Sequence, residues 1–285
     1  MTEKVESNDV EKFTGSYIDW LKEELTGWDT LPWILFGLGT GFQLAILLLG
    51  KINWISIVSF VGIFFGQWCT VAMGAGGWRE VNGEKVRVSS HAINGLLGSL
   101  SVIAYIIVNA QAHHWFSIID QLFFFFLIDV ELMATWRTWG RGKQNEMKTI
   151  LTFDKLPKSK KLGTKIKHGL HYFKQFMTSK WMLIIPIVLV LWGGLYYVGL
   201  LTNDNNPVWD ALALAIGATA SWLCFRRYEQ TFTLWIVSDL VNLTLWFTGL
   251  LDGYTQAALP MLAMTVFYFA TAIVGRINWK PTKTK

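Results

Sequence analysis

Long apolar runs are the feature that most limits what this chain can fold into. Eight stretches of about 18 to 23 residues carry little charge, and a helix of that length crosses the ~30 Å hydrocarbon core of a bilayer. They lie at Pro32–Leu49, Asn53–Ala75, Val88–Ala110, Trp115–Trp136, Trp181–Leu201, Val208–Phe225, Phe232–Leu250 and Gln256–Gly275. Charged residues make up 16% of the 285 residues, whereas about 25% is usual in soluble domains. The sequence therefore predicts an all-α integral membrane protein with eight transmembrane helices, and it argues against a water-soluble enzyme.

Basic residues alternate between the two sides of these spans. Of the 25 lysines and arginines, 24 fall in the two tails and the even-numbered loops, and only Lys51 falls in an odd-numbered loop. Cytoplasmic loops carry the excess of positive charge, so both termini and the basic loop at 137–180 are predicted to be cytoplasmic. Within that loop, the run that begins at Lys155 (Lys-Leu-Pro-Lys-Ser-Lys-Lys) is expected to touch anionic lipid and not nucleic acid.

The segment at positions 1–31 precedes the first span and has a helical apolar pattern. Apolar residues recur every four positions within Val10–Trp28, at Phe13, Tyr17, Leu21 and Leu25. This spacing predicts an amphipathic helix in the cytoplasmic interface of the membrane. A solvated tail is the alternative.

The order of the spans predicts an internal repeat. The spans at 51–136 have the same orientations as the spans at 207–276, and the span at 181–201 inverts the chain between them. This predicts two parallel three-helix bundles joined by a linker helix, the 3+1+3 arrangement found in SWEET carriers. The span at 32–50 is an additional helix outside the repeat, and residues 277–285 are predicted to form a cytoplasmic tail.

The chain lacks several common enzyme motifs. It has no G-x-x-x-x-G-K-[ST] phosphate loop, no G-x-S-x-G and no H-E-x-x-H. Its two cysteines are solitary, so no disulfide or cysteine metal motif is predicted. His113 and His114 lie in a short external loop, and His168 and His171 lie in the basic loop. We predict that all four are solvated or interfacial rather than metal ligands, and we expect neither catalysis nor a cofactor.

Acidic residues inside the spans are the strongest functional signal. A carboxylate in the middle of a bilayer costs several kcal/mol unless it faces a cavity or a partner. Asp129 and Glu131 lie in the fourth span and Asp239 in the seventh. Because Asp129 and Glu131 are two positions apart, they point to different sides of their helix.

The seventh span concentrates ligand-binding side chains on one face. At 100° per residue, Phe232, Trp235, Asp239 and Asn242 fall within about 80° of each other. Flat rings beside a carboxylate and an amide suit an aromatic ring joined to a polar sugar or amine, and they favour a cation. The alternative is ordinary helix packing, with Asp239 bonded to a neighbouring helix.

Short segments of the second half resemble a known family. They are Trp192-Gly-Gly-Leu-Tyr-Tyr, Asp210-Ala-Leu, Arg226-Arg227-Tyr228 and Leu234-Trp235-Ile, the last followed by Asp239. Over about Trp54 to Trp279 the chain resembles the PnuC-type vitamin transporters, whose best-known members carry nicotinamide riboside. The resemblance implies a homotrimer in a bacterial cell membrane and facilitated diffusion that is not coupled to ATP or ions. It also implies a cytoplasmic kinase that traps the substrate by phosphorylation.

The resemblance also implies which residues contact the substrate, and three of these contacts have changed. The family's W-x-x-W-x-x-x-[ND] motif falls on Phe232, Trp235 and Asp239, its G-x-x-N…Y pattern on Gly98, Ser101 and Tyr105, and its membrane-embedded glutamine on Asp129. Phenylalanine, serine and aspartate thus replace a tryptophan, an asparagine and a glutamine.

These changes leave several ligands open. Nicotinamide riboside is the first expectation, and thiamine, riboflavin or a deoxynucleoside are the alternatives. An ionised Asp129 favours nicotinamide riboside or thiamine, because only these two are cations. The rivals from other function classes are a membrane receptor or scaffold without transport, and a lipid-modifying enzyme. Such an enzyme would need a cluster of histidines or acids at the cytoplasmic interface, which the sequence does not show.

Overall fold

Helices make up almost all of the structure, a computed structural model that describes residues 13–81, 84–88, 90–139, 148–150, 162–253 and 255–279. The α-helices are α1 (Tyr17–Glu24), α2 (Thr30–Leu49), α3 (Trp54–Gly74), α4 (Ile93–Gln111), α5 (Trp115–Phe124), α6 (Val130–Ala134), α7 (Leu162–Met177), α8 (Trp181–Thr202), α9 (Pro207–Phe225), α10 (Thr231–Leu251) and α11 (Thr255–Asn278). Among these described residues, seven helices are long and apolar enough to cross a membrane, namely α2, α3, α4, α8, α9, α10 and α11. The chain is therefore a multi-pass, mainly helical membrane protein.

Local sequence signals account for several helix ends. The Asn53 side chain accepts a hydrogen bond from the Ser56 amide at 2.9 Å, and the Ser56 hydroxyl accepts one from the Asn53 amide at 2.9 Å, which caps α3. Asn203 ends α8 in the left-handed region with φ of 53°. Pro207 then opens α9 at the position where a missing N–H costs nothing.

The fourth apolar run is helical but interrupted. A π-helical turn, Phe125–Asp129, separates α5 from α6, and α6 ends at Ala134 rather than at the predicted Trp136. No single α-helix of the described chain therefore covers the predicted fourth span. A π turn inserts one residue into a helix and is frequent at functional sites.

A β-hairpin corrects the purely α prediction and the start of the third span. Strands β1 (Gly77–Val81) and β2 (Glu84–Val88) pair antiparallel, with Gly77 opposite Val88. The predicted third span begins at Val88, but α4 begins at Ile93. Glycine is required at Gly77, where φ is 140° and a side chain would overlap the carbonyl of Gly27. The pairing of the hairpin thus places Val88 in a strand, and the third helix starts at Ile93 instead.

Helix α1 packs against the protein at the hairpin end of the bundle. A capping box formed by Ser16 and Asp19 starts the helix. Trp20 is 2% exposed and its ring lies 5.3 Å from that of Trp136, while Ile18 on the other side is 64% exposed. The predicted helix is thus present in a shorter form, its residues 10–12 lie outside the described residues, and its contact with lipid stays a prediction.

The remaining helices surround a central space. Helix α3 packs along α4 and α11, α10 packs against α9 and α11, and α5 packs against α9. Helices α2 and α8 lie outside this group. In the most apolar 18-residue stretch of each helix, only 17% of the residues of α2 and 6% of those of α8 are buried. Exposed apolar side chains on such helices are the surface that a bilayer covers.

Much of the predicted basic loop lies outside the described residues, including positions 140–147 and 151–161, and so do residues 280–285 of the predicted tail. Helix α7 is the longest described part of the loop. It exposes Leu170, Phe173 and Met177 along one side and carries Lys167 and Lys174. An amphipathic basic helix of this kind suits a membrane surface.

Candidate functional site

One cavity of about 160 Å³ lies between α3, α4, α5, α9, α10 and α11. It is lined by every site residue that the sequence predicts, namely Ser101, Tyr105, Asp129, Phe232, Trp235, Asp239 and Asn242. These residues come from three separate segments, so the tertiary structure brings together what the chain separates by up to 141 positions. Their role in binding stays a prediction.

Helix α10 forms one wall through the face that the periodicity predicts. Ser238 and Trp246 extend this face along the cavity. The side-chain amide of Asn242 donates to the Ser238 carbonyl at 3.0 Å, which orients it along the helix. A continuous α-helix keeps its 100° spacing, and this is why the sequence alone could locate the face.

Aromatic contacts hold Trp235 in place. The Phe232 ring meets it edge-on with centroids 5.0 Å apart, and the Phe124 ring of α5 lies 6.3 Å away. Phe232 itself is 1% exposed and packs against Trp279 at 4.9 Å. Phe232 therefore packs between Trp235 and Trp279 and supports the Trp235 ring, which lines the cavity together with other aromatic side chains.

The opposite wall comes from α4 and its neighbours. The Tyr105 and Tyr268 hydroxyls are hydrogen-bonded to each other, which links α4 to α11. The hydroxyl of Ser101 donates to the Gly98 carbonyl at 2.8 Å. Gly66 of α3 leaves room for both tyrosine hydroxyls, since a Cβ there would overlap them.

Three carboxylates face the cavity, and one of them was missed by the sequence reasoning. Asp129 and Asp239 are the predicted acids, and Asp120 of α5 joins them. Asp120 and Asp129 each have a buried oxygen with no hydrogen-bond partner among the described residues. No lysine or arginine is among the described residues that line the cavity. Since buried carboxylates need compensation, the cavity is suited to a cation.

The π turn explains why Asp120 and Asp129 share this cavity. They are nine positions apart, so on an uninterrupted α-helix they would point about 180° apart. The extra residue of a π turn rotates the following residues by about 100°, which leaves about 80° between them. Asp120 could have been found from the sequence because it is an acidic residue within an apolar run. The same criterion identified Asp129.

Glu131, the third predicted intramembrane acid, lies elsewhere. Its carboxylate is 3.7 Å from the Arg227 guanidinium, whose carbon lies 4.1 Å from the centre of the Trp139 ring. Glu131 is not among the residues that line the cavity. The prediction that Asp129 and Glu131 point to different sides of their helix agrees with this arrangement.

The prediction that the histidines of the external loop are solvated or interfacial is wrong for His114. His113 is exposed as predicted, but His114 is only 2% exposed. Its ring meets the Trp246 ring edge-on at 5.0 Å. Burial lowers the pKa of His114 to about 4, so the imidazole is neutral at pH 7. Of the other pair, His171 is exposed and His168 half-buried.

Replacing Gly98 by alanine tests the packing of the Asp129 carboxylate. A Cβ at Gly98 would overlap that carboxylate, and we expect a loss of about 1–3 kcal/mol of stability, as for overpacked cores. Gly194→Ala is the matched control, because nothing lies within 4 Å of its added Cβ. Thermal unfolding of the purified variants measures the effect. Equal melting temperatures for the two variants would show that Asp129 does not occupy this position.

Comparison with known proteins identifies the family. A family model described as nicotinamide mononucleotide transporter matches residues 87–281. The nicotinamide riboside transporter PnuC of Neisseria mucosa is 23% identical over 269 residues, which cover 91% of this chain and 84% of that protein. A crystal structure of the vitamin B3 transporter PnuC has the same fold, with a TM-score of 0.64, 20% identity and coverage of 93% of this chain and 97% of that one. Because the family model matches well over half of its length, this chain belongs to the nicotinamide mononucleotide transporter family, which confirms the PnuC-type resemblance seen in the sequence.

Proposed function

We propose that this protein transports nicotinamide riboside across a bacterial cell membrane and binds it in the central cavity. The name of the Neisseria mucosa relative supports the substrate. The observation that carries the proposal is the set of three carboxylates around a cavity without a lysine or arginine among its described lining residues. The pyridinium ring of nicotinamide riboside carries a permanent positive charge, which such a cavity compensates.

The cavity walls offer contacts both for the pyridinium ring and for the ribose of nicotinamide riboside. The Trp235 ring offers a flat face for the pyridinium, and cation–π attraction is about 2 kcal/mol or more in a desolvated site. Asn242, Ser238 and Ser101 line the same cavity and can bond to ribose hydroxyls. Thiamine is the second candidate, because it is also a cationic ring compound. Riboflavin and deoxynucleosides are neutral and leave the carboxylates uncompensated.

The proposed topology has eight spans in the 3+1+3 arrangement with one additional N-terminal helix. The helical segment from Trp115 to Ala134, which includes the π turn, supports the eighth span, because its 20 residues reach about 30 Å at about 1.5 Å each. The alternation of 24 of the 25 basic residues supports an even number of spans with both termini in the cytoplasm. In this topology the cavity lies between the two bundles, and α8 is the linker.

A homotrimer and a partner kinase complete the proposal. Only 6% of the most apolar 18-residue stretch of α8 is buried, so this helix is available to lipid or to other copies of the chain. A native mass measurement on the purified protein tests the trimer. A cytoplasmic kinase is needed for net accumulation, because facilitated diffusion alone equalises the substrate on the two sides.

Transport by this mechanism should need neither ATP nor an ion gradient. We expect counterflow of labelled nicotinamide riboside in proteoliposomes to persist with a protonophore present and sodium removed. Protein-free liposomes provide the background, and labelled riboflavin tests the preference for a cation. Uptake that stops when the gradients collapse would contradict facilitated diffusion. Binding without any uptake would favour the receptor or scaffold alternative.

A further inference from the structure

Three side chains of the kinds that can bind a metal ion meet at the end of the bundle opposite the hairpin. His114 immediately precedes α5, Asp204 lies between α8 and α9, and Asp210 lies in the first turn of α9. One ligand atom from each lies within 4.8 Å of the others. The exposed fractions are 2% for His114, 8% for Asp204 and 0% for Asp210.

The cluster has unused ligand capacity. Nδ1 of His114 is buried and has no hydrogen-bond partner among the described residues. Each aspartate accepts two hydrogen bonds that fix its orientation. Asp210 accepts from the Phe116 amide at 3.0 Å and from the Ser117 hydroxyl. Asp204 accepts from the Asn206 amide at 2.8 Å and from the Trp115 amide at 3.4 Å. A carboxylate has about four lone-pair sites, so both can still coordinate a cation. Such outer hydrogen bonds are what orient ligands in metal sites.

The two carboxylates also need a proton or a cation between them to offset their repulsion. Neither forms an ion pair with a lysine or arginine in the described part of the chain. Two neighbouring carboxylates repel each other unless a proton or a metal ion lies between them. A shared proton would neutralise the carboxylates but would leave the His114 nitrogen without a partner, whereas a metal ion would satisfy all three groups.

We propose that His114, Asp204 and Asp210 form a binding site for one Zn²⁺-type divalent cation. One imidazole nitrogen and two carboxylate oxygens are ligands that Zn²⁺ takes at about 2.0–2.2 Å, with a fourth position open to water. Magnesium and calcium prefer oxygen ligands throughout, so the histidine selects against them. The three ligand atoms lie within 4.8 Å of one another, so the side chains would move closer together around a bound ion.

The proposed site lies next to the central cavity, but none of its three residues lines that cavity. Ser117, which bonds to Asp210, and Trp246, which contacts His114, both line the cavity. A bound ion would tie the start of α5 to the start of α9, which come from different bundles in the proposed topology. The ion would therefore hold this end of the cavity in one arrangement.

Metal binding to the purified full-length protein tests the proposal without any transport substrate. After treatment with a chelator, the protein is equilibrated with Zn²⁺ in the presence of excess Mg²⁺ and Ca²⁺, and its metal content is measured. We expect about one Zn²⁺ per chain, a higher melting temperature than the metal-free form, and Co²⁺ absorption in the visible range. His114→Gln should lose all three effects. His113→Gln is the matched control at the exposed neighbouring histidine and should retain them.

Asp204→Asn provides a second variant should His114→Gln fail to fold, because an asparagine oxygen can still accept the Asn206 amide. This variant should also lose the zinc. Wild-type protein that takes up no more Zn²⁺ than His114→Gln or Asp204→Asn would overturn the proposal and favour a proton shared by two capping carboxylates. Loss of zinc in His113→Gln would overturn it as well, because the ion would then bind at the surface.

Discussion

Replacing Trp235 by alanine is expected to weaken the binding of nicotinamide riboside at least about 30-fold, while the protein stays folded. The lost cation–π contact is about 2 kcal/mol or more in a desolvated site, and each 1.4 kcal/mol is a factor of ten in affinity. The ring lies beside the cavity with Phe232 and Phe124 against it. Calorimetric titration of the purified variant measures the affinity, and its melting curve reports folding.

Trp222→Ala is the matched control for this experiment. Trp222 lies on α9, is 50% exposed and does not line the cavity. Its loss removes an equally large ring at a distance from the site, so the affinity should not change. If Trp235→Ala bound the ligand normally, Trp235 would be a packing residue and the aromatic face of α10 would not be the binding surface.

Changing Asp129 to asparagine is expected to reduce the affinity for a cationic ligand roughly tenfold or more. Asparagine keeps the shape of the side chain and removes its charge, and an ion pair in a low-dielectric site is much stronger than in water. We take ~1.4 kcal/mol as the minimum loss, which corresponds to the factor of ten. A neutral deoxynucleoside should be affected little or should bind more tightly, because a costly buried carboxylate has been removed.

Glu131→Gln is the matched control for Asp129→Asn. Glu131 lies two positions away, but it pairs with Arg227 and does not line the cavity. Its neutralisation should leave the affinities for both ligand classes unchanged. Binding and melting data together separate the outcomes. A lower melting temperature with an equal loss for all ligands would make Asp129 a structural residue. An unchanged affinity for a demonstrated cationic substrate would remove Asp129 from the site.

The structure explains why the sequence located the face of α10 but missed the hairpin and the burial of His114. The face of α10 could be predicted because a continuous helix converts sequence spacing into direction without outside information. The hairpin after α3 was missed because it depends on positive φ at Gly76 and Gly77, in a short segment between two apolar runs that reads as an ordinary polar loop. His114 was expected to be solvated because a short polar loop does not reveal that the Trp246 ring of α10 covers it.

By itself the sequence determined that this is a multi-pass membrane protein of the transporter family, because apolar length, charge alternation and short motifs are local properties of the chain. It also predicted seven site residues that line one cavity, and their role in binding stays a prediction. Only the tertiary structure decided which acids share that cavity. The π turn rotates Asp129 toward Asp120, and folding brings His114 to Asp204 and Asp210 across about 90 positions. These arrangements depend on helix phase and on long-range packing, which no local pattern of residues encodes.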